Sequence, residues 1–315
     1  MIVKRNFHPW RVWQYIRRPM WWVLIWAPLA YALFAWTEWP ALQLSFTPIG
    51  VLGSALAIFI AFRNNSAYGR WWEARQIWSQ IVQAQRVLAR LVITFADSHA
   101  HQEQYDPARS QAFKQRMIYR CIAWAHALRL QLRRQSDWEH LKPLLPQEEF
   151  EQVSLAQNKP NALQLLMGQD IYRAMANGTL GGFDSFQMEG QLLALANQQA
   201  AAERIKETPL PRQYDFFTRV FVWLFATLLP FGLLSLFQNE ALVAYNWLSI
   251  PLTILLAGVF VIMERTGAAN EDPFENQVTD VPMSTISAQI ERDLREMLGE
   301  EDLPAVPTAE KGYLF

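Results

Sequence analysis

The sequence predicts an all-α membrane protein with four transmembrane helices per subunit and a helical cytosolic domain. Three observations carry that expectation. Only 18% of the 315 residues are charged, against roughly a quarter in soluble domains, while 51% are hydrophobic and 14 are Trp. The charged residues leave four long gaps, 19–37, 39–62, 220–239 and 241–263, of 19, 24, 20 and 23 residues. A span of the hydrocarbon core takes about 20 residues at ~1.5 Å each, so every gap is long enough. The period-two alternation of half-buried strands is nearly absent from the rest of the chain.

The domain organisation follows from the gaps. Residues 1–18 form a basic cytosolic N-terminus, 19–62 a first transmembrane hairpin, 63–219 a helical cytosolic domain, 220–263 a second hairpin, and 264–315 a cytosolic C-terminal segment and tail. Lys4, Arg5, Arg11, Arg17 and Arg18 precede the first acid, Glu38, while the net charge is only -1 because the stretch from Glu264 onward is acid-rich. A basic segment that directly precedes an apolar run sets membrane orientation rather than binding nucleic acid. The first run is not expected to be a cleaved leader: Trp21, Trp22, Trp26, Tyr31, Phe34 and Trp36 continue to its end, with no clear small-residue cleavage pattern before Glu38. Glu38 and Glu240 are the only charges inside the hairpins, whereas Lys and Arg sit before run one, after run two and before run three. By the positive-inside rule both hairpins point outward, and both termini lie on the cytoplasmic side of the cell's inner (plasma) membrane. Trp21 and Trp22 at one side and Trp36 and Trp39 at the other suit an interfacial aromatic belt.

Between runs two and three, Trp78, Ile81, Val82, Leu88, Leu91 and Val92 recur at helical spacing, and 112–134 reads the same way. Loops fall at "SDWEHLKPLLPQEE", "QNKPN" and "ANGTLGGFD". After run four, Ile286, Ile290, Leu294 and Met297 give one apolar stripe on a short helix, whose partner lies in the same subunit or a neighbour.

Run two differs from the others. It is light in bulky residues early on, "TPIGVLGSALA", and passes without a Pro into Arg63, Asn64, Asn65 and Ser66. Ser54, Ile58 and Phe62 step by four and so share one stripe. Such a stripe can pack against the other membrane helices, with small residues permitting close approach. Alternatively, several copies around an axis would stack these side chains as rings, and a ring of Ile or Phe makes a dewetting constriction that gates ions. Asn65 and Ser66 would then line a wetter vestibule.

"FRNNSAYGRWWEARQIW" after an uncharged helix, "ERIKETPLPRQYDFFTR" opening the third run and "NEDPF" after the fourth resemble, in that order and spacing, the bestrophin family, and closely its bacterial members. The resemblance implies a homopentameric ion channel with one axial pore, whose neck positions fall on Ser54, Ile58 and Phe62. Ser54 is polar where relatives tend to be apolar. A second, cytosolic aperture is implied near "GGFDSF" and falls on Asp184; a shift of two would bring Gly182 or Phe186 there, and an ordinary loop Asp is the alternative. Bacterial members conduct cations and animal members anions. With a possible ring of Asp184 attracting cations, the expected permeant ion is a monovalent cation such as sodium, with a chloride channel of the same architecture as the alternative. The animal members' calcium site uses a run of acids. Here Pro273 and Phe274 are followed by Glu275, Asn276, Gln277, Val278, Thr279 and Asp280, too few carboxylates for a calcium clasp, so no cofactor beyond permeant ions is expected.

Other chemistry finds little support. His99 and His101 in "DSHAHQE" lack a nearby third ligand for a metal, and the single Cys121 on an apolar helix fits a core. No phosphate loop, H-E-x-x-H or G-x-S-x-G motif occurs, so no enzyme is expected. A non-conducting membrane scaffold or sensor is the alternative of another class. A secondary transporter would show paired repeats, which the hairpins lack.

Overall fold

A computed structural model describes residues 1–4, 9–37, 39, 42–101, 103, 105–237, 242–306, 308–309 and 312–315, the side chains of residues 9, 11 and 12 excepted. Arg5, Glu38, Glu240 and the Arg11 side chain, on which part of the orientation rests, lie outside the described residues. The described residues form α1 (Pro9–Thr37), α2 (Phe46–Phe95), α3 (Pro107–Leu132), α4 (Gln147–Leu155), α5 (Lys159–Ala176), α6 (Gly182–Glu207), α7 (Arg212–Ser235), α8 (Ser249–Asn270) and α9 (Met283–Met297), with 3-10 segments at Trp138–Leu144 and Val243–Leu248. Among them no strand occurs, only an isolated antiparallel bridge between Ile2 and Tyr313. The all-α expectation therefore stands.

Trp13–Thr37, Phe46–Phe95, Arg212–Ser235 and Val243–Asn270 are long and apolar enough to cross a membrane, one for each uncharged run. Helix α2 has 50 residues and continues past its apolar part without interruption. Nothing in "AFRNNSAYGRWW" stops a helix: Asn64, Asn65 and Ser66 are mediocre formers, but no Pro or turn dipeptide follows.

The chain folds as two compact units. One comprises Lys4–Trp71 and Pro209–Asp272; the other comprises Met1–Val3, Trp72–Thr208 and Pro273–Phe315. The first unit extends along α2 beyond the end of the uncharged run, because Arg63 and Ala67 are buried within it. Its core joins Met20 and Val23 of α1, Ile49, Leu56 and Ile60 of α2, Val222, Phe225 and Leu229 of α7, and Val261 of α8. The rings of Trp22 and Trp223 meet edge to face at 4.7 Å, and Phe225 lies 4.7 Å from Phe260. Helices α2 and α7 meet through glycine. A Cβ on Gly53 would come within 2.8 Å of Phe225 Cε2, and one on Gly232 within 2.6 Å of Ile49 Cδ1. In lipid, where no hydrophobic effect drives helices together, such close fitting carries the association.

The second unit is built on α3, whose Phe113, Met117, Trp124 and Leu128 are fully buried on several faces. Asp106 caps the helix by accepting from Ala108 N at 2.9 Å, with Pro107 in the first turn. Arg120 is buried in α3 and forks onto Glu149 at 2.9 and 2.7 Å, with Asp170 at 2.9 Å. Cys121 donates towards Met167 Sδ at 3.7 Å; burial pushes its thiol up to about 12, so it is an unreactive core residue. Ile286, Ile290 and Leu294 of α9 are buried in this unit, where α9 packs on α3, so their partner lies in the same chain; Met297 remains exposed.

Asp280 is buried in the second unit and accepts from Gln277 N at 3.0 Å. Burial pushes its carboxyl up to about 6, against the pull of that hydrogen bond and of the Arg133 guanidinium. A carboxyl raised in the folded state binds its proton more tightly when folded. Its contribution to stability is thus greatest below the ordinary value of 3.8 and is lost as pH rises through about 6. Asp280→Asn is expected to flatten the pH dependence of the unfolding midpoint within that window; a slope equal to that of the wild type would contradict it.

Candidate pore-lining site

The stripe on α2 belongs to a face that its own bundle leaves open. From Val51 to Gly69, residues 51, 54, 55, 58, 61, 62, 65, 66, 68 and 69 are exposed, whereas 53, 56, 60, 63 and 67 are buried. That alternation follows the helical period, so one side of α2 packs and the other does not. Ile58 is 59% exposed and Phe62 68%, values far from those of core side chains. The alternative in which the stripe packs against the other membrane helices of the same chain is therefore not realised. Asn65 and Ser66 lie on the same open face.

The polarity of this face is less than its sequence suggests. Ser54 Oγ donates to Gly50 O at 3.0 Å, and Ser66 Oγ to Phe62 O at 3.0 Å. Each hydroxyl proton is thus committed to the helix's own carbonyl, and only the oxygen lone pairs remain for water.

Behind the stripe lies an ion cluster that sequence reasoning missed. Arg63, 3% exposed, donates through Nη2 to Asp215 Oδ1 of α7 at 2.6 Å and through Nη1 to Glu264 O of α8 at 3.1 Å. Glu271 Oε2 stands 3.4 Å from Nη2 and Glu264 Oε1 3.7 Å from Nη1. Arg219 pairs with the other oxygen of Asp215, and Arg265 Nε lies 3.3 Å from Glu264 Oε2. Burial raises the Glu271 carboxyl and the Arg63 charge opposes the rise. Next along the chain, Asn64 Nδ2 donates to Met263 O at 2.9 Å. The signal was present in the sequence as acids bordering runs three and four on the same side as Arg63, but charge alone does not say that they converge.

Asp184 sits in the first turn of α6. Its Oδ2 accepts from Gly181 N at 2.8 Å and lies 3.1 Å from His99 Nε2. Gly181 leaves room for the imidazole, since a Cβ there would come within 2.9 Å of His99 Nε2. The exposed side chains of this turn are Phe183 and Phe186. The His101 ring lies near that of His99, tilted by 43° with centroids 6.5 Å apart, and no group of three or more metal-ligating side chains occurs among the described residues.

Four membrane-length helices, one of them with an uncovered apolar face and a buried ion cluster at its back, define an all-helical membrane protein. The chain belongs to the bacterial/fungal bestrophin family, whose profile matches residues 7–296. It is 33% identical over 261 residues to a voltage-dependent anion channel-forming protein of Ralstonia nicotianae, covering 83% of this chain and 80% of that one. A relative of the same descriptive name from Escherichia coli K12 is 32% identical over 282 residues, covering 89% and 86%. The crystal structure of a bacterial bestrophin homolog from Klebsiella pneumoniae matches with a TM-score of 0.80 at 26% identity, over 90% of this chain and 98% of that one. Membership of this family agrees with the expectation that the chain is a channel protein and no enzyme. The anion-channel names do not support the monovalent-cation expectation, which rested on the cation-conducting bacterial members and on Asp184.

The packing at Asn64 generates a test. A Cβ on Gly267 would fall 1.9 Å from Asn64 Oδ1, so the amide must move if that glycine is filled. Gly267→Ala is expected to destabilise the detergent-solubilised protein by about 1–3 kcal/mol, the usual cost of overpacking. Adding Asn64→Ala should recover part of the loss, a non-additivity that a double-mutant cycle reads directly.

Proposed function

We propose that this chain assembles as a homopentameric ion channel with one axial pore, and that α2 lines its neck with stacked rings of Ser54, Ile58 and Phe62. The observation that carries this is the open face of α2, on which Ile58 and Phe62 stand exposed while their helical neighbours are buried. Rings of Ile and Phe around a narrow axis expel water, and a dewetted neck blocks ions until it widens. Ser54, whose proton is held by Gly50 O, wets the outer ring only weakly. Asn65 and Ser66 line the vestibule beyond.

The permeant ion is chloride or a similar monovalent anion. Two relatives named as anion channel-forming proteins support this, and the neck rings are uncharged and do not oppose it. The Asp184 carboxylate, engaged with Gly181 N and His99, lends little support to a cation-attracting ring. At the cytosolic aperture its part is instead to hold the first turn of α6, which carries the exposed Phe183 and Phe186. The pore needs no cofactor beyond its permeant ions, and the bilayer and other copies of the chain are its partners. The basic flanks of the hairpins support an inner-membrane location with both termini cytoplasmic.

Purified protein in a planar bilayer across a NaCl gradient should reverse near the chloride equilibrium potential; reversal near that of sodium would replace the anion with a cation in the same pore. Changing both Ile58 and Phe62 to Ala should increase the current, because the dewetted length shortens. A scaffold would gain no current from these changes, and little stability would be lost because both side chains stand exposed in the subunit.

A further inference from the structure

The ion cluster at the back of α2 has no part in conduction as proposed above, yet Arg63 is the residue next to Phe62 of the proposed neck. We propose that Arg63 is a positioning residue for the gate: it fixes the rotation and height of α2, and weakening its carboxylate partners releases the neck towards the open state. This rests on the pore reading of Ile58 and Phe62.

Phe62 and Arg63 are consecutive, so their side chains diverge by ~100° around the helix. Phe62 accordingly faces the open side while Arg63 is buried on the packed side. The guanidinium is planar and its donors point in fixed directions, which makes its bonds sensitive to rotation of the helix that carries it. Here one fork bridges two helices, with Asp215 of α7 at 2.6 Å and the Glu264 carbonyl of α8 at 3.1 Å, and it also meets Glu271 at 3.4 Å. Turning α2 far enough to swing Phe62 off the axis would break these bonds together.

Height is fixed as well. Arg63 binds the carbonyl of Glu264 and Asn64 that of Met263, two consecutive carbonyls of α8 held by two consecutive residues of α2. Sliding by one residue, ~1.5 Å, would mismatch both. Gly267 lets the Asn64 amide lie against α8 at this level. Three carboxylates, Asp215, Glu264 and Glu271, surround Arg63, and Arg219 and Arg265 balance two of them. Removing one carboxylate charge therefore loosens the hold on Arg63 while other partners remain, a graded change rather than an all-or-none one.

The test is single-channel recording of Asp215→Asn and Glu271→Gln, each confirmed to elute as the wild-type assembly, beside the Ile58→Ala, Phe62→Ala double variant. Open probability is expected to rise several-fold in both anchor variants, with unitary conductance and reversal potential unchanged because the neck side chains are intact. Arg63→Lys, which keeps the charge but loses the fork, should also open more often. A double variant that conducts more, alongside anchor variants that assemble but open as the wild type does, would overturn the positioning role and leave the pore reading standing. Failure of both Asp215→Asn and Glu271→Gln to assemble would also overturn it, since the cluster would then serve folding alone. No added current in the double variant would instead remove the pore reading on which the proposal rests.

Discussion

Hydrocarbon offers no hydrogen-bond partner, and most of this chain's behaviour follows from that one constraint. Every backbone group in a spanning segment must be satisfied within its own helix, which is why each uncharged run supplies a membrane-length helix. Several polar side chains in or next to those runs meet the same demand. Ser54 donates to Gly50 O, Thr218 to Tyr214 O, Thr227 to Trp223 O and Thr266 to Ile262 O, each bonding the carbonyl four residues back. Where a hydroxyl cannot turn back, a neighbouring helix serves: Tyr31 donates to Asn246 Oδ1 at 2.9 Å. Trp26 Nε1 likewise donates to Thr227 O at 3.1 Å. Arg63 is the extreme case, a full charge that its surroundings accommodate only by supplying carboxylates from two other helices.

Helix α2 therefore has two faces that solve different problems. The packed face buries Leu56, Ile60 and Arg63 and ties the helix to α7 and α8. The open face leaves Ile58 and Phe62 without partners in their own bundle, and a large apolar surface of that kind requires lipid, another subunit or a dewetted space to be stable. A helix whose rear is clamped by ions and whose front is bare is suited to presenting side chains to an axis without letting them wander. Rigid support behind a bare surface is what positions a functional group reliably.

Much of this was legible in the sequence, and the boundary of legibility has a physical cause. The four spans could be read because uncharged length is a local property, and the α2 stripe because a step of four is a property of one helix. Cys121 could be assigned to a core for the same reason, whereas the α9 stripe left its partner open between the same subunit and a neighbour. Non-local partners could not be read. Arg63 meets residues 152, 201 and 208 positions away, and Asp184 meets His99 across 85. The contact of Asp184 with His99 was hidden because a carboxylate in a Gly-rich turn looks free until the histidine beside it is known. Charge preference was illegible for a different reason: the neck residues carry no charge, so no residue type there states a sign.

The continuity of α2 also determines how the gene can change. Each residue added to an unbroken helix turns everything beyond it by ~100°, so a single insertion between Phe46 and Phe62 would move Phe62 off the open face and Arg63 off its carboxylates. Only insertions near whole turns, such as seven or eleven residues, would keep both faces in phase, and even those would shift the level of the cluster against α8. The segment from Phe46 to Trp71 is thus a ruler whose length matters independently of its composition. The turn around Ser136 carries no such phase and tolerates length changes better than α2 does, up to the 3-10 segment Trp138–Leu144, which is pinned by the buried Leu141 and Leu144.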